Sequence, residues 1–377
     1  MRVMISCGEP SGDVYAGALT SALTRLDPSI EVLGFGGPRL EAAGAVMAGR
    51  FDGLSVAGLT EVVATLPRLH AMLRHLRAVL RERRPDVLVA IDYFGFNSRL
   101  IAAARELGIP VVYYVCPQLW AWRPKRMETM KRLVDLALVI FPFEEPLYRQ
   151  AGVPVRFVGH PLVDLARATR SRQVFLHEAG LRGGGPIVAL LPGSRPGELR
   201  RIVPGLAEAL PRIRAEVPDA QFVIAAAPGL PDRLFAPLLA SGDPRPAIVR
   251  NRTDDVLAAA RVVITASGTA TVQAALHERP MVVVYKVSPL SYRLGRRFLL
   301  VDTFAMANLV AGRRIVPELV QDRFVPERVA KETVSLLLDE GRYEMTREAL
   351  GAVRRQLGEP GASIRAAQAV LEVARRP

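Results

Sequence analysis

The run Ile187-Val188-Ala189-Leu190-Leu191-Pro192-Gly193-Ser194-Arg195-Pro196-Gly197-Glu198 changes its periodicity halfway along. Its first five residues are uniformly apolar, as in a strand covered on both faces. Pro192 and Gly193 interrupt it, and from Leu199 to Glu216 apolar residues recur at helical spacing. Strand, glycine turn and helix in that order form half of a βαβ unit, and such units build parallel sheets. The same turn carries chemistry. A helix start aims backbone N–H groups and a positive dipole at one point. Gly193 lets an anion approach the backbone, Ser194 adds a hydroxyl donor, and Arg195 offers a fork for phosphate oxygens. An ordinary β–α turn with a surface arginine explains any one of these residues; together they favour phosphate. No Gly-Lys-Ser/Thr follows, so the turn is not a Walker loop.

The alternation continues on both sides. Strand-like runs precede this stretch at Val3–Cys7, Val32–Phe35, Val87–Ile91, Val111–Val115, Leu136–Phe141 and Val155–Val158. Others follow at Phe222–Ala226, Ala247–Val249, Val262–Thr265 and Met281–Tyr285. Helical segments such as Val14–Leu26, Arg99–Leu107 and Thr269–His277 lie between them, and from Pro326 the chain reads as helix to its end. The pattern pauses over a charged helix and the break Gly183-Gly184-Gly185-Pro186. A chain of 377 residues is expected to build two cores rather than one. The sequence therefore predicts an α/β protein of two Rossmann-like parallel-sheet domains facing a cleft, residues 1–165 and 166–377, the second carrying the helical C-terminal segment.

In such sheets ligands bind beyond the carboxyl ends of the strands, so the loops there are the candidate sites. Thr265-Ala266-Ser267-Gly268-Thr269-Ala270-Thr271 leads from a strand into a helix and forms a second anion nest. Gln273, one turn on, can bond a ribose hydroxyl. A good helix cap is the plain alternative for that loop alone; two such loops in one domain point to a diphosphate. Gly8-Glu9-Pro10-Ser11-Gly12-Asp13 opens the first domain with two carboxylates, which suits sugar hydroxyls or a general base better than an anion. Capping of its own helix is an adequate account of Asp13 but leaves Glu9 unexplained. Ile91-Asp92-Tyr93-Phe94-Gly95-Phe96-Asn97 again puts a carboxylate and an amide at a strand end. Trp120 and Trp122, the chain's two tryptophans, share one face of an extended segment, as a core plug or a stacking wall. His160, at another strand end, reads as structural.

The formal charge of +13 fits phosphate-bearing substrates or an anionic lipid surface. Codon bias explains the choice of Arg over Lys, but not the excess of both over Asp and Glu. No basic run is interleaved with aromatics, so nucleic acid is not an expected partner. Cys7 and Cys116 have neither metal spacing nor a disulfide framework, which points to a reducing compartment. The apolar start Val3–Cys7 is too short for a signal-peptide core and reads as a first strand. No uncharged stretch reaches the ~18 residues of a spanning helix, so any membrane contact is expected to be peripheral.

Taken in order, these loops resemble those of the lipid-A-disaccharide synthases, glycosyltransferases of the GT-B architecture. The resemblance runs through Gly8–Asp13, Ile91-Asp92 with Phe96-Asn97, Pro117–Arg123, Pro142-Phe143-Glu144, Gly159-His160-Pro161, Leu191–Arg195, Ala266–Ala270 and Asn308–Gly312, and so covers nearly the whole chain. No single motif is decisive; the ordered set is specific. It implies an inverting hexosyltransferase of lipid A and lipopolysaccharide biosynthesis, cytoplasmic and peripheral on the inner face of the inner membrane. UDP-2,3-diacylglucosamine and 2,3-diacylglucosamine 1-phosphate would be its substrates, and lipid A disaccharide 1-phosphate and UDP its products. The resemblance puts the UDP-sugar on the C-terminal domain, at Gly193, Ser194, Arg195, Ser267, Gly268, Thr269, Gln273 and Asn308. It puts the acceptor on the N-terminal domain, at Ser11, Gly12, Asp13, Asn97 and Gln118, near Glu9. The absence of an Asp-x-Asp pair fits a transferase with no metal and no cofactor. Arg195 and the helix starts would then meet the charge on the departing UDP. A homodimer is open, since the sequence fixes no oligomeric state.

Two positions depart from the family pattern. Gly95 stands where members carry an aspartate proposed as catalytic, and Gln273 where they carry a glutamate. A glutamine still bonds a ribose hydroxyl. Gly95 removes a candidate base, which leaves Asp92 first and Glu9 second, beside Arg195 as the charge-stabilising catalytic group. The stretch Val56–Leu80 sets valines and leucines among Arg68, Arg74 and Arg77, a pattern of either a membrane-surface helix or a helix packed on the sheet. The rival functions are another UDP-sugar enzyme of this architecture, such as a UDP-N-acetylglucosamine 2-epimerase, and a non-catalytic nucleotide-sugar-binding protein.

Overall fold

A computed structural model describes residues 1–51, 59–117, 126–242, 245–288 and 303–376 of the chain. Val56, Gln118, Trp120 and Trp122 lie outside the described residues. The chain divides into two units, Met1–Asp164 with Leu357–Pro377, and Leu165–Gln356.

The first unit holds a sheet of β1 (Arg2–Cys7), β2 (Glu31–Gly36), β3 (Val46–Arg50), β4 (Val87–Ile91), β5 (Val111–Tyr114), β6 (Leu136–Val139) and β7 (Val155–Phe157). All pairings are parallel and the order is β3-β2-β1-β4-β5-β6-β7. The second unit holds β8 (Ile187–Leu191), β9 (Gln221–Ala226), β10 (Ala247–Arg250), β11 (Val262–Ala266), β12 (Met281–Tyr285) and β13 (Glu318–Val320). These are parallel too, in the order β10-β9-β8-β11-β12-β13. Helices cover both faces, so a central strand such as Val87–Ile91 is wholly buried and has no polar alternation. The helix Pro196–Glu216 shows the matching rule for helices. Leu199, Ile202, Val203, Leu206, Ala209, Leu210 and Ile213 form its buried stripe, and each large side chain removed from water contributes roughly 1.5–3 kcal/mol.

Each strand order reverses direction once, and each reversal makes a crevice at the carboxyl ends of the two strands involved. In the first sheet that place lies between β1 and β4, where Cys7 pairs with Ile91. In the second it lies between β8 and β11, where Leu191 pairs with Thr265. The two carboxylate loops of the first unit leave the chain side by side, and so do the two glycine loops of the second.

The last helix corrects the expected domain division. Ala362–Ala374 packs on the helix Pro10–Leu26 and belongs to the first unit, not to a domain of residues 166–377. Leu357 O accepts from His160 N at 2.8 Å, and Arg156 forms a two-pronged pair with Glu372 at 3.2 and 2.7 Å. An amphipathic pattern reveals that a helix buries one face; it does not say which sheet receives it.

Candidate active site

At the crevice of the first unit, the turn after β4 is held in an uncommon shape. Asp92 and Tyr93 have φ of +46° and +49°. Such backbone costs roughly 1–3 kcal/mol per residue and persists only where the surroundings over-determine it. Here they do. Tyr113 Oη donates to Asp92 O at 2.6 Å, Asn97 Nδ2 donates to it at 2.8 Å, and the Phe96 and Asn97 amides both donate to Tyr93 O at 3.1 Å. Val115, just past β5, is a β-branched residue at φ +55° on the same edge. Gly8 makes room for the turn: a Cβ there would lie 2.1 Å from the Tyr93 ring.

Asp92 and Glu9 are both partly exposed at this edge. Burial pushes the Tyr93 phenol up, and the Glu9 carboxylate pushes it further. Burial, and after it the charge of Asp92, raises Tyr15 and Tyr113 as well. The charges of Asp92 and Glu9 thus act on three phenols of this unit, and Ser11 is partly exposed on the first helical turn.

Three of the residues expected at the acceptor are engaged within the protein. Asn97 is fully buried; Ser6 Oγ donates to its Oδ1 at 2.7 Å, and its Nδ2 serves the Ser6, Ile91 and Asp92 carbonyls. It positions the Asp92 turn from behind. Asp13 is 2% exposed and does not cap its own helix, whose N-cap is Glu9. Its carboxylate accepts from Gly37, Arg39 and Leu40 N–H at 2.8, 2.8 and 3.1 Å, capping the neighbouring helix Pro38–Ala42. Gly12 is buried 3.3 Å from the Cys7 Cβ, measured from where its own Cβ would be, so it serves close helix–strand packing. Gln118 lies outside the described residues.

In the second unit Pro192, Gly193, Ser194 and Arg195 join β8 to the helix Pro196–Glu216, with Gly193 at φ +125° and Ser194 and Arg195 exposed. Glu198 Oε2 reaches back to accept from Ser194 N at 3.1 Å and Arg195 N at 3.3 Å. Burial and then Glu198 raise the Tyr285 phenol at the end of β12, while Arg195 and Arg201 lower it. The charges of all three residues thus act on that phenol. Across the crevice, Gly268 and Thr269 are exposed at the start of the helix Thr269–Leu276, and Gln273 is partly buried one turn on. Ser267 Oγ donates to Phe304 O at 2.7 Å.

Asn308 is engaged within the protein in the same way as Asn97. It is 1% exposed; its Nδ2 donates to Val316 O and Glu318 Oε1 at 3.0 and 2.8 Å, and its Oδ1 accepts from Ile315 and Val316 N–H at 2.8 and 3.0 Å. Glu318 also accepts from Phe304 and Ala305 N–H at 3.0 and 2.9 Å. Asn308 therefore acts through Glu318 and Phe304 on the Ser267 loop. Sequence reasoning missed Glu318, Tyr113 and Glu198. Only Glu198 left a trace, three residues after a helix start, where a capping carboxylate belongs.

No three His, Cys, Asp or Glu side chains come together to hold a metal ion among the described residues. Two cavities of the second unit stand apart from the Arg195 turn. One of about 430 Å³ runs along Phe304, Val316, Glu318 and Arg323, and one of about 600 Å³ lies by Pro186, Arg261, Arg279 and Tyr343, near the amino ends of the strands.

A family model described as lipid-A-disaccharide synthetase matches residues 3–373. The lipid-A-disaccharide synthase of Geobacter sulfurreducens is 43% identical over 372 residues, 99% of this chain and 97% of that protein. That of Myxococcus xanthus is 41% identical over the same shares. Among solved structures, UDP-GlcNAc 2-epimerase from Neisseria meningitidis bound to UDP-GlcNAc aligns with a TM-score of 0.71 at 13% identity, covering 99% of this chain and 100% of that one. CalG4, the calicheamicin glycosyltransferase, aligns at 0.63 and 17%, covering 99% and 98%. At those identities the likeness is one of fold.

Proposed function

The chain belongs to the lipid-A-disaccharide synthetase family and is a glycosyltransferase, and on that premise we propose that it joins UDP-2,3-diacylglucosamine to 2,3-diacylglucosamine 1-phosphate with release of UDP. The observation that carries this reading is the family match along residues 3–373 together with an anion nest at the crevice of the second sheet. We assign the diphosphate to the Gly193–Arg195 turn and to the Ser267–Thr269 loop facing it, and a ribose hydroxyl to Gln273. Glu9 and Ser11 serve the acceptor. The acyl chains of both substrates call for work at a membrane surface, and a net charge of +13 suits an anionic one at the inner face of the inner membrane.

Inverting transfer requires the acceptor hydroxyl to lose its proton as it attacks the anomeric carbon, and UDP departs from the opposite face. Asp92 is our base: its carboxylate is partly exposed on a strained, tightly held turn at a strand end. Arg195 neutralises the leaving diphosphate. Product analysis with both acylated substrates tests the reaction, and isomerisation of UDP-N-acetylglucosamine without acceptor would replace it by epimerisation. Asp92→Asn is expected to lose about 10²–10⁴-fold in turnover with UDP-sugar binding intact. Near-normal turnover moves the base to Glu9, checked by Glu9→Gln. At Gly95 an added Cβ meets nothing within 4 Å, so Gly95→Asp can be accommodated and its rate compared directly.

A further inference from the structure

The nest at the start of the helix Pro196–Glu216 already holds an anion of the protein's own. Glu198 Oε2 takes the Ser194 and Arg195 N–H groups, and Gly193 is what admits it, since a Cβ there would lie 2.6 Å from that oxygen. These are the N–H groups that the turn aims at phosphate. Two anions cannot share them without repulsion.

The first unit offers a comparison. Asp13 fills the nest of the helix Pro38–Ala42 with three bonds of 2.8–3.1 Å at 2% exposure. That carboxylate is permanent. Glu198 has two longer bonds, at an exposed turn. It also has somewhere else to go: Arg201 is three residues on along the same helix, within reach of a swung carboxylate.

We propose that Glu198 is an exchangeable placeholder, which yields the Ser194 and Arg195 N–H groups to the diphosphate of the UDP-sugar and reclaims them as UDP leaves. The inference rests on the assignment of this turn to the diphosphate. It makes Glu198 a positioning residue whose return favours product release. A carboxylate that merely fixes the helix start predicts the opposite sign, because its removal would loosen the nest and weaken UDP binding.

Calorimetric titration of the full chain with UDP separates the two. Glu198→Gln keeps a side-chain acceptor for the cap and removes the charge. It is expected to bind UDP about two- to fivefold more tightly, the scale of one carboxylate's interaction with an exposed helix start, and Glu198→Ala to do so at least as strongly. UDP inhibition of turnover should sharpen in parallel. Unchanged or weaker binding by a folded Glu198→Gln, while Arg195→Ala still abolishes it, overturns the placeholder and leaves the diphosphate assignment standing. If Arg195→Ala binds UDP as well as the parent does, the assignment has failed and the placeholder with it.

Discussion

His160 lies between Tyr15 and Phe141, with ring centroids 5.9 and 5.2 Å away, and is 1% exposed. Leu162 N donates to its Nδ1 at 3.1 Å, which assigns the ring proton to Nε2. Burial pushes its pKa down from 6.5 to about 3. The folded chain therefore refuses a proton that the unfolded chain accepts. Stability contributed by this site is complete above about pH 6.5 and is lost as the pH falls towards about 3, at up to ~1.4 kcal/mol per unit. His160→Asn keeps an acceptor for Leu162 N and does not titrate. Its Tm is expected to fall less steeply than the parent's between about pH 6.5 and 4.5; parallel slopes would remove His160 from the acid response. The structural role of His160 was legible in a lone histidine at a strand end. The real partners of Asp13, Asn97 and Asn308 were not, because each reaches backbone that is near only after folding.

Most strands announced themselves as apolar runs, whereas β3 and β13 did not. Both are edge strands: Val46–Arg50 is mostly half-exposed or exposed and contains a glycine, and Glu318–Val320 spans three residues. A strand paired on one side needs neither the length nor the double-faced hydrophobicity that makes a central strand visible. The first helix begins at Pro10, ahead of the Val14 expected, because Pro10 and Ser11 read as turn residues and yet suit a first helical turn. The strand-end loops were the legible part of the site, since proline, glycine and hydroxyl residues mark them. The cap of the last helix can be tested directly. Both Asp164 oxygens accept from Gly361 N at 2.9 Å, and one from Ala362 N at 3.1 Å. Asp164→Ala is expected to cost about 1–2 kcal/mol, read by urea unfolding, with faster amide exchange in Ala362–Ala374 before global unfolding. Uniform exchange along that helix would show that its packing, not the cap, holds it.

At the scale of the whole molecule, the proposed work at a membrane surface requires a docking patch. The helix Leu59–Arg83 buries Leu73, Leu76 and Leu80 at 7, 0 and 0% exposure, so its second half is core, while Leu66 is 42% exposed. No helix among the described residues is long and apolar enough to cross a membrane. Leu59→Glu with Leu66→Glu is expected to abolish flotation with anionic vesicles while the protein stays folded; unchanged flotation moves the docking patch elsewhere. The return of the last helix to the first unit also sets an order of assembly during synthesis. Residues 165–356 must leave the ribosome before the segment that closes the first unit exists. At ~5–20 residues per second that delay is on the order of 10–40 s. Throughout it, the flank of Pro10–Leu26 that will receive Ala362–Ala374 faces water, and a nascent chain in that state is a client for chaperones.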